Sequence, residues 1–209
     1  MGDADERMIG LFPLSIVLLP DEVIPLHIFE ERYKKLISER LEGGEFGIVL
    51  ADEDSVRECG TTARVAQLIE ELDDGRMNIL VQGGRRFRIV EVVSPEDPEA
   101  DYLRAEVDYY RDAEPESSQA VREATLEVFR KMLVLMDVEN PQEPAGGGPL
   151  SFRVAAAVDF GAPLKQELLE SLSEEQRLEM LLTVMTSLLP RLELRKDRED
   201  AIRGNGKGY

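Results

Sequence analysis

Apolar positions along residues 11–41 set the pattern for the first half of the chain. The run LFPLSIVLLP passes through Pro20 and Pro25 into a segment whose large apolar residues are Phe29, Tyr33, Leu36, Ile37 and Leu41. Their i, i+4, i+7, i+8, i+12 spacing is one face of a helix, ended by Gly43-Gly44. Glu30 and Glu31 fall in its first turn, each four residues ahead of a lysine, Lys34 or Lys35. That order suits both the helix dipole and i, i+4 pairing. Phe29 is thereby predicted on the packing face, where truncation to alanine would cost about 3–5 kcal/mol. Pro20 and Pro25 cannot donate to a ladder, so 23–28 is predicted as an extended edge or turn-flanked strand, not a central one.

Short strands follow. Residues 46–51 form an apolar run of strand length, and 61–72 alternate with one slip near Gln67, which predicts a bulge. Asp73-Asp74-Gly75 supplies turn chemistry, and Met77, Ile79 and Val81 alternate on the return strand. Gly83-Gly84 is expected to turn a corner before a strand with Phe87, Ile89, Val92 and Val93. Leu103, Ala105, Val107 and Tyr109 alternate in another. Five or six short strands with glycine corners read as a small closed β-domain.

The period changes near Glu116. Val121, Thr125, Val128, Met132 and Leu135 share a helical face, started by Ser117 or Ser118 as cap. The Pro/Gly segment 139–149 reads as a connector, with a lid as the alternative. Residues 151–160 and 164–172 are expected as short helices, and Ser173 with Gln176 forms a capping box for a leucine-rich last helix. Pro190 predicts a kink or an end near Leu189, and fraying is expected from Arg195 onward. The organisation is α+β: a tail over 1–8, a β-rich domain over 9–113, a C-terminal helical bundle over 114–196, and a flexible tail over 197–209.

Composition narrows the function classes. The 209 residues are 43% hydrophobic, enough for a packed core. The 43 acidic and 25 basic residues give a formal charge of -18, which opposes nucleic acid and anionic lipid. With few lysines, that surplus fits either a high-salt cytoplasm or an acidic protein of an ordinary one. Cys59 is the one cysteine, so no internal disulfide forms and a cytoplasmic location is expected. The polar, acidic start does not resemble a signal peptide, and the run 9–19 is too short for a membrane span.

Candidate chemistry is sparse. There is no G-x-x-x-x-G-K-[ST] loop to cradle phosphate. His27 is the one histidine, so a histidine-activated nucleophile would have to be His27 with Cys59; the alternative is that both are structural. One histidine and one cysteine cannot build a structural zinc site, and no cofactor or metal is expected. The acidic clusters around Glu70–Asp74 and over 96–101 lack the ligand pattern of a calcium loop and read as solvated hairpin ends. Arg85, Arg86 and Arg88 form the one basic cluster, read as salt-bridging, with RNA binding as the alternative.

The stretch FPLSIVLLPDEVIPLHIFEERYKKL resembles the opening of the Lon protease N-terminal (substrate-binding) domain family, which also occurs in stand-alone form and is related to the Lon-like domain of cereblon. CGTTARVAQLIEELDDGRMNILVQGGRRFRIVEV is similar to that family's hairpin and following strand, and LSFRVAAAVDFGAPLKQELLESLSEEQRLEML to its C-terminal helices. Asp21 departs from the family's usual glycine. The resemblance implies a PUA-like β pseudo-barrel followed by a helical bundle. It further implies a non-catalytic module that binds exposed hydrophobic or unfolded protein segments, in partnership with a Lon-like or other ATP-dependent protease. An apolar groove between barrel and helices would receive the client, and Pro25, His27, Phe29, Arg32 and Tyr33 are the candidate binding residues, with a fold-defining role as the alternative. A hydrolase and an RNA-binding PUA-like module are the rival readings.

Overall fold

The computed structural model describes residues 7–51, 55–98, 101–110 and 117–205. The elements run β1 (Met8–Leu14), β2 (Val23–Ile28), α1 (Glu31–Ser38), β3 (Phe46–Ala51), β4 (Val56–Glu71), β5 (Met77–Val93), β6 (Arg104–Tyr109), α2 (Gln119–Leu135), α3 (Leu150–Ala157), α4 (Ala162–Glu170) and α5 (Glu174–Asn205). The fold is mixed α+β, with a six-stranded sheet and, among the described residues, five helices. It divides into two units, Met1–Asp112 with Val158–Leu172, and Ala113–Ala157 with Ser173–Tyr209.

In the first unit β1 pairs in parallel with β3 and antiparallel with β6. The second half of β5 pairs with β6, and β4 pairs with both β3 and β5, so β1, β3, β4, β5 and β6 close on themselves. β2 stands outside that closure on the first half of β5. The closed strands β1 and β3 are nearly continuous apolar runs because both of their faces are covered. Phe12 joins a core with Tyr33, Phe46, Ile48, Met77 and Ile79, while Leu11 joins one with Val49, Phe87, Ala105 and Val107.

Helix α1 buries Tyr33, Leu36 and Ile37, and the Tyr33 ring stacks on Phe12 at 4.2 Å. Phe29 does not join them. The helix starts at Glu31 with Glu30 as N-cap, which leaves Phe29 one residue outside and 60% exposed. A residue there packs only if the fourth helical position is apolar, and that position is Lys34. The expected 3–5 kcal/mol cost therefore does not apply. Phe29→Ala should shift stability by under about 0.5 kcal/mol, read as an unchanged urea midpoint. The charges also pair differently from the sequence pattern: Lys34 with Glu31 at 2.8 Å, Lys35 with Asp101 at 3.3 Å, and Glu30 with Arg32 at 2.6 Å.

The slip near Gln67 is a register shift between Val65 and Gln67, with others at Thr61/Ala63 and Leu68/Glu70. β5 runs unbroken through Gly83-Gly84, where a corner was expected. Asp21, in the place of the family glycine, keeps a left-handed φ of 62° and donates its N–H to Gly83 O at 3.0 Å.

Helix α4 belongs to the β unit, which corrects the expected continuous helical region over 114–196. Gln166 Nε2 donates to Cys59 O at 3.1 Å, and Lys165 Nζ to Glu22 Oε1 at 2.5 Å. Buried Arg86 donates through Nη1 to the carbonyls of Leu169 and Ser171, at 2.6 and 2.7 Å. A cation thus caps the negative end of α4.

In the second unit Ser118 caps α2 by accepting from Val121 N at 3.3 Å, and α2 buries Thr125, Phe129, Met132 and Leu133. That face is rotated from the expected stripe, since Val121, Val128 and Leu135 are only half-buried. Glu174, Arg177 and Ser151 form a buried network. Ser151 N and Oγ donate to Glu174 at 3.0 and 2.5 Å, so Glu174 caps the start of α3, while Arg177 Nη2 donates to Glu174 at 2.9 Å and its Nε to Ser151 Oγ at 2.9 Å. Burial pulls the Arg177 pKa below its ordinary value, against the pull of Glu174.

Helix α5 continues through Pro190 to Asn205, so neither the stop near Leu189 nor a tail from residue 197 is present. Lys131–Glu193 at 2.8 Å, an i, i+4 Arg195–Glu199 pair at 3.6 Å, and a Lys196–Asp137 pair hold its later turns in place of the one bond proline removes. At the other end Met8 lies in β1 and Arg7 pairs with Asp108 at 3.2 Å, so the expected 1–8 tail is shorter. Its residues 1–6, and 206–209 of the other tail, lie outside the described residues. Among the described residues no helix is long and apolar enough to cross a membrane.

Candidate functional site

Strand alternation sends Ile24, Leu26 and Ile28 of β2 into the core and Val23, Pro25 and His27 outward. Register adds Gln82, Leu80 and Asn78 of β5 to that outer face, and Arg64, Gln67 and Glu70 of β4 beyond them. Polar links brace its two ends. His27 Nδ1 meets Asn78 Oδ1 at 2.7 Å, and Asn78 Nδ2 donates to Glu70 Oε2 at 2.8 Å. Because the Asn78 amide nitrogen is directed to Glu70, its oxygen faces His27, which assigns the proton to Nδ1. At the other end Arg64 Nη2 donates to Gln82 Oε1 at 2.7 Å. Between them lies the less polar row Pro25, Leu80 and Gln67. Phe29 stacks on His27 at 6.0 Å between ring centres, and Val23 is 50% exposed.

β2 is also an open sheet edge. Gly83 N donates to Glu22 O at 2.8 Å, so by alternation residues 24, 26 and 28 direct their backbone groups to β5 and 23, 25 and 27 direct theirs away from it. Pro25 removes the middle donor of that free edge.

Pro25, His27 and Phe29 are thus brought together at the surface. Arg32 and Tyr33 are not part of that face: Tyr33 is core, with burial raising its pKa, and Arg32 covers its ring at 4.8 Å while pairing with Glu30. The sequence reading missed Val23, Leu80 and Gln67: alternation along β2 carried Val23, whereas Leu80 and Gln67 join the face only through the long-range pairing of β2 with β5 and of β5 with β4.

His27 and Cys59 do not meet. The His27 link ends on Glu70, eleven residues along β4 from Cys59, roughly 35 Å of extended strand. Cys59 lies buried beneath α4, where desolvation pushes its thiol up to about 11, and its Sγ donates to Leu169 O at 3.6 Å. Among the described residues neither His27 nor Cys59 is placed against the partner that nucleophilic catalysis needs. The basic cluster is divided as well. Arg85 pairs with Glu45 at 3.3 Å and covers the Tyr109 ring, Arg86 caps α4, and Arg88 projects from the surface. Among the described residues no group of three or more metal-type side chains is placed to hold an ion.

Known proteins share this fold. The solved Lon N-terminal domain protein from Xanthomonas campestris superposes with a TM-score of 0.66 and 26% identity, over 84% of this chain and 97% of that one. The N-terminal domain of Mycobacterium avium complex Lon protease shares the fold, with a TM-score of 0.65 at 20% identity, over 86% and 98%. In sequence the chain is 27% identical to the Lon protease of Flavobacterium johnsoniae over 92% of its own length, and 28% identical to Lon protease 2 of Myxococcus xanthus over 95%. It spans 26% of the length of each of those relatives, about a quarter. Residues 8–187 match the family model described as the ATP-dependent protease La (LON) substrate-binding domain. The chain belongs to that substrate-binding domain family.

Proposed function

We propose that the domain, without catalysis of its own, binds exposed hydrophobic or unfolded protein segments at the outer face of β2, in the cytoplasm, on behalf of a Lon-like ATP-dependent protease. On this reading the five closed strands are a PUA-like pseudo-barrel and α2, α3 and α5 a helical bundle. The observation that carries it is the exposed apolar edge of Val23, Pro25 and Phe29, with Phe29 60% exposed and unpartnered by its own helix. Burying such side chains against a client yields about 25 cal/mol per Å². Pro25 weakens backbone pairing along the same edge, which favours recognition through side chains over strand addition.

Apolar capture persists in salt, whereas attraction to a chain of charge -18 selects basic clients and fades as the Debye length falls to about 3 Å at 1 M. Fluorescence anisotropy with a reduced, unfolded protein should therefore show tighter binding than with its native form, little loss at molar salt, and no competition by RNA. Phe29→Ala should weaken capture about 5- to 30-fold, the equivalent of about 1–2 kcal/mol of lost burial, at unchanged stability. Equal affinity for native and unfolded client, or binding lost with salt, would refute hydrophobic recognition.

A further inference from the structure

Across the β4–β5 ladder Cys59 faces Arg88, and Arg57, two residues before Cys59, shares that face by strand alternation. With Ser55, Glu58, Tyr110 and Glu170 these residues line a cavity of about 610 Å³, a size typical of ligand clefts. It is fixed in place from below. Arg86 holds the end of α4 through two carbonyls and lies 5.2 Å from the Tyr110 ring centre, so the floor has little freedom to collapse.

The two arginines at the rim are exposed and make no hydrogen bond or ion pair with any described residue. An acid stands close enough in register to have paired with one of them: Asp108 is opposite Arg88 on β6, yet its carboxylate goes to Arg7 at 3.2 Å. Glu58 and Glu170 line the cavity too, but neither forms an ion pair with Arg57 or Arg88, so two guanidinium groups in a chain with 43 acidic and 25 basic residues are left without an ion-paired acid among the described residues. An anion placed between them would relieve their mutual repulsion and accept charge-assisted hydrogen bonds from both.

The geometry points to a binding site for a single carboxylate of a peptide, held by Arg57 and Arg88, with the cavity receiving the adjoining residues. A singly charged group fits better than a phosphate dianion, because Glu170 stands in the same wall and the net charge of -18 penalises each further negative charge. A chain-terminal carboxylate and an Asp or Glu side chain present the same chemistry. The site does not depend on capture by the β2 face.

The test is an NMR titration of the ¹⁵N-labelled full chain, following arginine Nε–H signals. The probes are N-acetylated pentapeptides Gly-Ser-Ala-Ser-Glu, as free acid and as amide, and the same pair ending in glutamine. The forms carrying a carboxylate should shift the Arg57 and Arg88 signals, and whichever of the Glu amide and the Gln acid binds identifies the source. Arg57→Gln with Arg88→Gln should raise Kd at least tenfold at an unchanged melting temperature, since both side chains are exposed. Equal binding of the uncharged Gln amide, undiminished binding by the double variant, or no shift with any peptide would overturn the assignment. So would tighter binding of inorganic phosphate than of every peptide.

Discussion

Arg177→Met is expected to lower the stability of the α2–α3–α5 unit by about 3–5 kcal/mol, as the removal of one partner from a buried ion pair does. Glu174 is 3% exposed and Arg177 1%. Without the guanidinium the carboxylate keeps only the Ser151 donors, and the Arg177 packing over the Phe152 ring at 4.5 Å is lost as well. A double variant, Glu174→Gln with Arg177→Met, removes the buried charge while keeping an acceptor for Ser151 N–H, and should recover at least half of the loss. Urea unfolding followed by far-ultraviolet circular dichroism reads both. A single variant as stable as the parent, or a double variant worse than the single, would show that Glu174 is solvated or that Ser151 needs its charge.

Gly83→Ala should be as damaging in the β unit. Its Cβ would overlap the Leu19 carbonyl oxygen and lie 3.0 Å from Leu19 C, both backbone atoms that no rotamer change can move. Gly83 also accepts from Asp21 N at 3.0 Å and donates to Glu22 O at 2.8 Å, so relief of the clash would break the bonds that register β2 on β5. A cost of at least about 3 kcal/mol is expected. Gly147→Ala, whose added Cβ would meet nothing within 4 Å, is the control and should stay within about 0.5 kcal/mol. A parental midpoint for Gly83→Ala would mean that the Leu19 turn yields freely.

Much of this fold was legible in local pattern. β2 was expected over 23–28 and β3 over 46–51, and the structure has Val23–Ile28 and Phe46–Ala51. The Gln67 slip and the Ser118 cap were likewise readable, because each depends on a few neighbouring residues. Phe29 was misplaced because spacing alone extends the helical stripe backwards. The cap at Glu30 and a lysine in place of an apolar fourth residue set the true boundary. Arg86 under α4 and Glu174 with Arg177 could not be read, since one arginine within the run Arg85-Arg86-Phe87-Arg88 and an i, i+3 acid–base pair look like ordinary surface. Only the long-range approach of Leu169 to Arg86, and of Ser151 to Glu174, reveals their burial. In the candidate site the motif named Pro25, His27 and Phe29, which the structure brings to one outer face, but not Val23 and Leu80, which join that face through pairing.

Pro25 has a consequence for company as well as for shape. A protein that gathers unfolded chains raises the local concentration of the segments that nucleate cross-β fibrils, and an open strand with all its donors intact would be a template for them. With the central donor of β2 missing, a client strand laid along that edge gains only an interrupted ladder. If the domain captures unfolded segments as proposed, it would hold a sticky chain beside this strand and remain a poor seed for its aggregation.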